Sequence, residues 1–400
     1  MTRSAAEWEA TPTPSPRDYV DARVYGDPAV FAEERERILA KTWRFVCHTS
    51  EVADPGDYRT LDFAGTPLIV ARGEDEVVRT FINVCSHRSA AVLRAPAGNA
   101  TTWTCVFHQW SYDTRGNCTG IPRQDGFDAA GVCPEKVGLR AVRTAVRLGM
   151  VFVNLDDAAP EFDVFAGGAL EPLAPIMGTD VELEVFHIHR STIAANWKSW
   201  HETQMEIYHE YLHYLNRRIS FRADNYHDRK WRIFPGGHGT IEPLRHRYDQ
   251  ASGLSDRSAD LLPGLGPNEN RLVDLFPDTS IHCRATVMRI DTTIPLAPNL
   301  TVVERRGLGI KGEPAAIRAK RVAHHNQFWG PFGRNHPEDC IAAALVEPAN
   351  RHGAARHALI ARHEDLRAQD DEMLRAYYDT WGRYMSRSAA DLSRRGRAAE

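Results

Sequence analysis

The chain has 400 residues, 42% hydrophobic and 26% charged, the balance of a globular protein large enough for two or three cores. Its net charge of −4 excludes the strongly basic surface that nucleic acid or an acidic membrane would select. No apolar run approaches the roughly 20 residues that span a bilayer, and MTRSAAEWEATPTPSPRD lacks a hydrophobic signal core, so a cytoplasmic protein with a short flexible lead-in is expected.

Asp27-Pro28 opens a predicted helix to about Ala40, with Phe31, Ile38 and Leu39 on one face. Residues 1–42 form an N-terminal helical part expected to pack on the last domain. From 43 to 158 short β-branched runs alternate with turns: Pro67–Ala71, Val77–Val84, Thr101–Phe107 and Gly149–Leu155. They predict a small all-β domain. Residues 159–400 form a second domain. It opens with a strand over Val181–Ile193 and a helix from about Trp197 to Asn216, and a strand follows over Ser280–Ile290. Two helices close it, one from about Pro337 and one from about His357 to Met385, the latter with Leu374, Tyr377, Trp381 and Met385 on a stripe. The Pro- and Gly-rich stretch 253–270 is expected to be a mobile loop.

Seven scattered cysteines argue against a disulfide framework and leave thiols for metal in a reducing compartment. Two pairs stand out, Cys85-Ser86-His87 and Cys105-Val106-Phe107-His108, with seventeen residues between them. Each sits where a strand ends. Two thiolates and two imidazoles can hold a [2Fe–2S] cluster, sulfur on one iron and nitrogen on the other. A structural zinc ion takes the same donors, although its usual spacing is a Cys pair followed by a His pair. On the predicted helix, His209 and His213 lie four apart and share a face. With one carboxylate they make a triad that leaves positions open on Fe(II). Alone, such a pair more often belongs to a solvated helix; the redox centre upstream, which needs an electron acceptor, favours the metal.

These motifs resemble the large (α) subunits of the Rieske non-haem iron oxygenases along nearly the whole chain. The resemblance implies an α+β fold, an all-β Rieske domain followed by a helix-grip (START-like) catalytic domain with an antiparallel sheet and helices. The cluster motif continues as His108-Gln109-Trp110 to Gly116 and departs from the family at Ser89 and Gln109, where glycine is usual. Asn196-Trp197-Lys198 followed by Glu202, Glu206, His209 and His213 matches the second family motif. By similarity, Cys85, His87, Cys105 and His108 hold the [2Fe–2S] cluster, and His209 and His213 hold a mononuclear Fe(II). Glu206 becomes the electron bridge between His209 and His108 of the partner subunit. The third iron ligand is sought among Asp339, Asp365, Asp370 and Asp371. The segment Gly330-Pro331-Phe332-Gly333, followed after five residues by an aspartate, selects Asp339, with Asp371 next and Glu338 the adjacent alternative.

The implied activity is O₂-dependent hydroxylation, by one or both oxygen atoms. Electrons would come from NAD(P)H through a separate reductase or ferredoxin, since the chain carries no convincing dinucleotide fingerprint. The resemblance also implies a trimeric α₃ core, or α₃β₃ with a small β subunit. The chain looks like subunits that act on aromatic acids of the benzoate, salicylate and anthranilate type, while His201–Asn216 also resembles alkanesulfonate monooxygenases. Gln204, Met205, Tyr211 and Leu212 are the pocket candidates. An anionic substrate would want an arginine near the iron, for which Arg284, Arg289, Arg305 and Arg306 are available and unranked. A Rieske electron carrier without oxygenase chemistry is the alternative from another class; it leaves the second domain without a purpose.

Overall fold

The structure, a computed structural model, describes residues 14–218, 221, 223, 225–245, 260–267 and 269–392. A short strand β1 (Tyr19–Asp21) precedes helix α1 (Pro28–Glu34), whose start is capped as predicted, Asp27 accepting the Ala29 N–H at 2.8 Å. The helix widens into a π turn over Arg35–Leu39.

The β-branched runs that follow form a seven-stranded antiparallel sheet from β2 (Arg44–His48), β3 (Asp57–Phe63), β4 (Thr66–Arg72), β5 (Val78–Ile82), β6 (Ala97–Asn99), β10 (Ala141–Arg147) and β11 (Met150–Asn154). Its order is β2-β11-β10-β5-β4-β3-β6. A three-stranded sheet of β7 (Thr102–Thr104), β8 (Ser111–Asp113) and β9 (Cys118–Gly120) stands beside it. The Cys85 loop follows β5 and the Cys105 loop follows β7, so the two motifs leave different sheets and meet over a core containing Phe81, Trp103, Trp110 and Tyr112.

A second seven-stranded sheet is built from β12 (Leu183–Ile193), β13 (Trp231–Phe234), β14 (His238–Arg245), β15 (Glu269–Leu275), β16 (Thr279–Arg284), β17 (Val287–Ala297) and β18 (Leu300–Ile310), in the order β12-β18-β17-β16-β15-β14-β13. Helices α2 (Trp197–Met205), α3 (Ala315–Trp329), α4 (His336–Leu345) and α5 (Glu372–Met385) surround it, and β19 (His357–Leu359) pairs back to β1. The fold is α+β. No helix among the described residues is long and apolar enough to cross a membrane. Trp43, Phe45, Met150 and Phe152 share one core with Leu275, Ile281, Met288, Ile290 and Leu308, so the two large sheets are joined by packed apolar surface.

Three sequence expectations need correction here. The strand expected over 280–290 is a hairpin: Arg284 pairs with Val287, and Ala285-Thr286 makes the turn with Ala285 at φ +41°. The helix expected from His357 begins only at Glu372, where the Asp370 carboxylate accepts the Glu372 N–H at 2.6 Å; its stripe of Leu374, Tyr377, Trp381 and Met385 is buried as expected. Helix α3 was not foreseen, because Arg321, His324 and His325 are buried on it beside Phe328 and Trp329 and blur its apolar periodicity. Of the predicted loop 253–270, residues 253–259 and 268 lie outside the described residues; 260–267 carry no helix or strand, and 269–270 open β15.

The Asn-Trp-Lys motif anchors α2 to the N-terminal helical part. Fully buried Glu34 accepts from Trp197 Nε1 (3.0 Å), Lys198 Nζ (2.9 Å) and Trp381 Nε1 (2.7 Å). Burial lowers the Lys198 pKa, and the Glu34 carboxylate works to keep the amine charged. Lys198→Met leaves that carboxylate buried without its cation. The variant is expected to lose about 3–5 kcal/mol of stability, measured by denaturant unfolding.

Candidate metal centres

The two cluster loops have the same backbone plan. Cys85 N–H donates to Ala90 C=O and Cys105 N–H to Trp110 C=O, both at 2.8 Å. Ser89 N–H returns to Cys85 C=O at 3.0 Å, and Gln109 N–H to Cys105 C=O at 2.9 Å. Each turn closes through a left-handed residue, Ser89 at φ +58° and Gln109 at φ +61°. That is the conformation glycine adopts without steric cost, so these two departures from the family pattern strain the loops by about 1 kcal/mol each and leave their path intact.

Across the loops, the His87 and His108 rings lie 4.4 Å apart, and His87 stacks on Trp110 at 4.9 Å. The Cys85 and Cys105 thiols are free and buried, and the Tyr112 hydroxyl stands 3.2 Å from Cys85 Sγ. Nδ1 of His87 and Nδ1 of His108 are buried without any hydrogen-bond partner. Burial, with His108 and Arg88 nearby, lowers the His87 pKa, so it stays neutral, as ligation requires. Among the described residues, only His209, His213 and Asp339 bring three donor atoms within 4.8 Å of one another. Two free thiols and two unpartnered imidazole nitrogens are the donor set of a two-iron cluster with sulfur on one iron and nitrogen on the other.

The predicted single helix carrying both iron-site histidines breaks. Helix α2 stops at Met205, and Glu206 turns extended at φ −136°, ψ 150°. Its carboxylate then accepts the His209 backbone N–H at 2.8 Å through Oε2 and the His209 Nδ1–H at 2.7 Å through Oε1. A 3-10 turn over Tyr208–Tyr211 follows. The side chain thus replaces the carbonyl that would have continued the helix. His209 and His213 meet across a turn instead of along a helix face, their rings 5.3 Å apart and nearly perpendicular at 82°.

Asp339, in the first turn of α4, completes the group. Its Oδ1 lies 3.2 Å from His213 Nε2 and 3.7 Å from His209 Nε2 and is buried without a hydrogen bond. Glu338 faces the other way and holds His213 Nδ1 at 2.6 Å. Each imidazole is therefore gripped at Nδ1 by a carboxylate, Glu206 or Glu338, and offers Nε2 toward Asp339. Burial opposes charge on His209, yet Glu206 and Asp339 outweigh it and raise its pKa to about 10; His213 is raised too, burial being outweighed by Asp339 and Glu338. The geometry demands positive charge at this spot, and a divalent cation on two nitrogens and one oxygen supplies it. The other acids lie elsewhere: Asp371 accepts the Arg362 N–H at 2.9 Å, and Asp370 pairs with Arg375 at 2.8 Å.

A cavity of about 40 Å³ adjoins the triad, lined by Gln204, His282, Arg284, Arg289 and Trp329 beside His209, His213 and Asp339. Of the four pocket candidates only Gln204 belongs to it. Met205 is fully buried in the core, and Tyr211 and Leu212 are exposed. The residues that sequence reading missed or left unranked come from β16, β17 and α3.

Residues 42–137 match the family model for the Rieske [2Fe-2S] domain, and residues 180–386 match that for the ring hydroxylating alpha subunit (catalytic domain). The chain is 45% identical over 394 residues to the 2-aminobenzenesulfonate 2,3-dioxygenase subunit alpha of an Alcaligenes species, covering 98% of this chain and 100% of that one. It is 38% identical over 396 residues to the methanesulfonate monooxygenase hydroxylase subunit alpha of Methylosulfonomonas methylovora, covering 96% and 95%. Naphthalene 1,2-dioxygenase from a Rhodococcus species has a similar fold, with a TM-score of 0.80 at 20% identity over 92% of this chain and 94% of that one.

Glu338 tests the paired grip on the imidazoles. Glu338→Gln is expected to weaken iron retention about 10- to 100-fold in a metal titration while the visible spectrum of the cluster stays unchanged.

Proposed function

The chain belongs to the ring-hydroxylating oxygenases, as an α subunit with a Rieske domain, and on that premise we propose that it hydroxylates an aromatic sulfonic acid. Membership makes it an O₂-dependent oxidoreductase with a Rieske cluster and a mononuclear iron, fed from NAD(P)H by a separate reductase or ferredoxin. The observation that carries the substrate reading is the cavity beside His209, His213 and Asp339, whose lining includes two arginines, Arg284 and Arg289. Similarity at 45% identity across the whole length of an aminobenzenesulfonate dioxygenase subunit supports it.

The contacts support the following roles. Cys85, His87, Cys105 and His108 are the cluster ligands, and His209, His213 and Asp339 the iron ligands. When bound, the iron supplies O₂ activation. Glu206 and Glu338 keep the Nδ1 protons in place and so leave Nε2 of each imidazole as the donor. Glu206 is also the proposed electron bridge to His108 of the partner subunit, in an α₃ or α₃β₃ assembly in the cytoplasm. Residues 1–42, 43–158 and 159–400 are the proposed division into N-terminal part, Rieske domain and catalytic domain.

A second reading has a specific observation behind it. The cavity is small, about 40 Å³, which suits a small alkanesulfonate, and the 38% identical methanesulfonate monooxygenase subunit is consistent with that. The test supplies the purified protein with an electron donor, O₂ and, in turn, benzenesulfonate, 2-aminobenzenesulfonate, benzoate and methanesulfonate. Ring-hydroxylated product from a sulfonated arene is the expected result. Turnover of methanesulfonate alone selects the second reading, and turnover of no sulfonate overturns both. Glu206→Gln is expected to keep the cluster spectrum and to slow turnover about 10- to 100-fold; unchanged turnover removes the bridging role.

A further inference from the structure

We infer that Arg284 is the anchor for the substrate's anionic head, with Arg289 as a second donor held rigid beside it. The inference rests on the sulfonate reading above and assigns the residue that enforces it.

It begins with strand phase. On β16 and β17, Ile281, Cys283, Met288 and Ile290 face the apolar core. Because side chains alternate along a strand, His282, Arg284, Arg289 and Asp291 lie on the opposite face, with His282 paired to Arg289 across the ladder. Helix α2 covers that face, and α3 covers it at β17 and β18. A sheet face loaded with charge and then buried is rare unless the charges are used.

The charges do not cancel. Asp291 is shared: Arg289 donates to it at 2.7 Å, and Arg305 grips it through two bonds at 2.6 and 2.5 Å. Arg289 also donates to Gln204 Oε1 at 2.5 Å, so it lines the cavity in a fixed pose. Arg305 spends another N–H on Trp329 C=O, and Arg306 is bound to Glu51 and Glu304, so neither is offered to the cavity. Arg284 differs. It is only 5% exposed, yet no carboxylate lies within salt-bridge reach of it among the described residues. Its one hydrogen bond among the described residues runs from Nε to His282 Nε2 at 3.4 Å. His282 accepts as a neutral ring, burial and the surrounding arginines having pushed its pKa well down.

The Phe328 and Trp329 rings flank the Arg284 guanidinium at 4.6 and 5.7 Å. Such flanking fixes the group by its face and leaves the in-plane N–H fork for a ligand. A buried, unpaired cation is costly, and an anion with several oxygens removes that cost by taking the fork. The same cavity holds His209, His213 and Asp339, so an anion on Arg284 places the rest of its molecule beside the iron ligands. Arg284 is thus a specificity residue: it selects a sulfonate over a neutral molecule of the same shape.

The test is calorimetric binding to the oxidised, anaerobic holoenzyme, where nothing turns over. The probes are benzenesulfonate, methanesulfonate, benzoate and neutral benzenesulfonamide, against wild type, Arg284→Met and Arg284→Lys, each checked for an intact cluster spectrum. Arg284→Met should weaken benzenesulfonate and methanesulfonate binding about 10- to 100-fold, as loss of a charged hydrogen bond does, and change benzenesulfonamide by less than about threefold. Arg284→Lys should recover part of the loss. Sulfonate binding unchanged in Arg284→Met, or equal loss for the sulfonamide, overturns the inference. Wild type that binds benzoate and no sulfonate overturns the sulfonate reading instead, and Arg284 then keeps its role if Arg284→Met loses benzoate in the same proportion.

Discussion

One carboxylate does two structural jobs on which the proposed iron site depends. Glu206 ends helix α2 and accepts both the backbone and the ring N–H of His209. Had the helix continued, His209 would have stayed on its surface with Nδ1 free to choose another partner. The break lets His209 and His213 converge on Asp339, and the hydrogen bond fixes the tautomer that leaves Nε2 as donor. Glu338 repeats the second job on His213 from another helix. The result is a nearly symmetric row of groups, carboxylate, imidazole, carboxylate, imidazole, carboxylate, with an uncompensated demand for positive charge at its middle.

The second sheet serves this site with one face and the fold with the other. Its inner face shares an apolar core with Phe45 and Phe152 of the first sheet and with Trp43 just before it, which fixes the two sheets against each other. Its outer face carries His282, Arg284, Arg289, Asp291 and Arg305 under α2 and α3. Apolar packing on one side holds steady the charged wall that lines the cavity beside His209, His213 and Asp339 on the other. The Glu34–Lys198 pair in turn ties α2 to the N-terminal helical part, so the helix ending at Glu206 is anchored at its start.

Much of this was legible before the structure. Cys85, His87, Cys105 and His108 stand out because metal chemistry demands those residue types at loop-compatible spacing, and the all-β texture around them is a period-2 signal. Asp339 was reached by resemblance alone; nothing in its local sequence distinguishes it from Asp371. Other features were hidden for physical reasons. Met205 to His213 reads as good helix, and a local side-chain hydrogen bond, Glu206 to His209, takes the helix's place. Ala285-Thr286 lacks the Gly or Asn of a usual hairpin turn. A single strand through it would put Arg284 and Arg289 on opposite faces. The hairpin shifts the phase and brings them to one wall. Ser89 and Gln109 were visible as departures, but that both occupy left-handed positions needed coordinates.

The central claim is that two separate metal centres are held by two named sets of side chains. Iron analysis of the purified protein beside that of Asp339→Ala and Asp371→Ala tests it most directly. The account predicts about three irons per chain in wild type and Asp371→Ala, and about two in Asp339→Ala with the cluster spectrum unchanged. Three irons retained in Asp339→Ala, with one lost in Asp371→Ala, would contradict it.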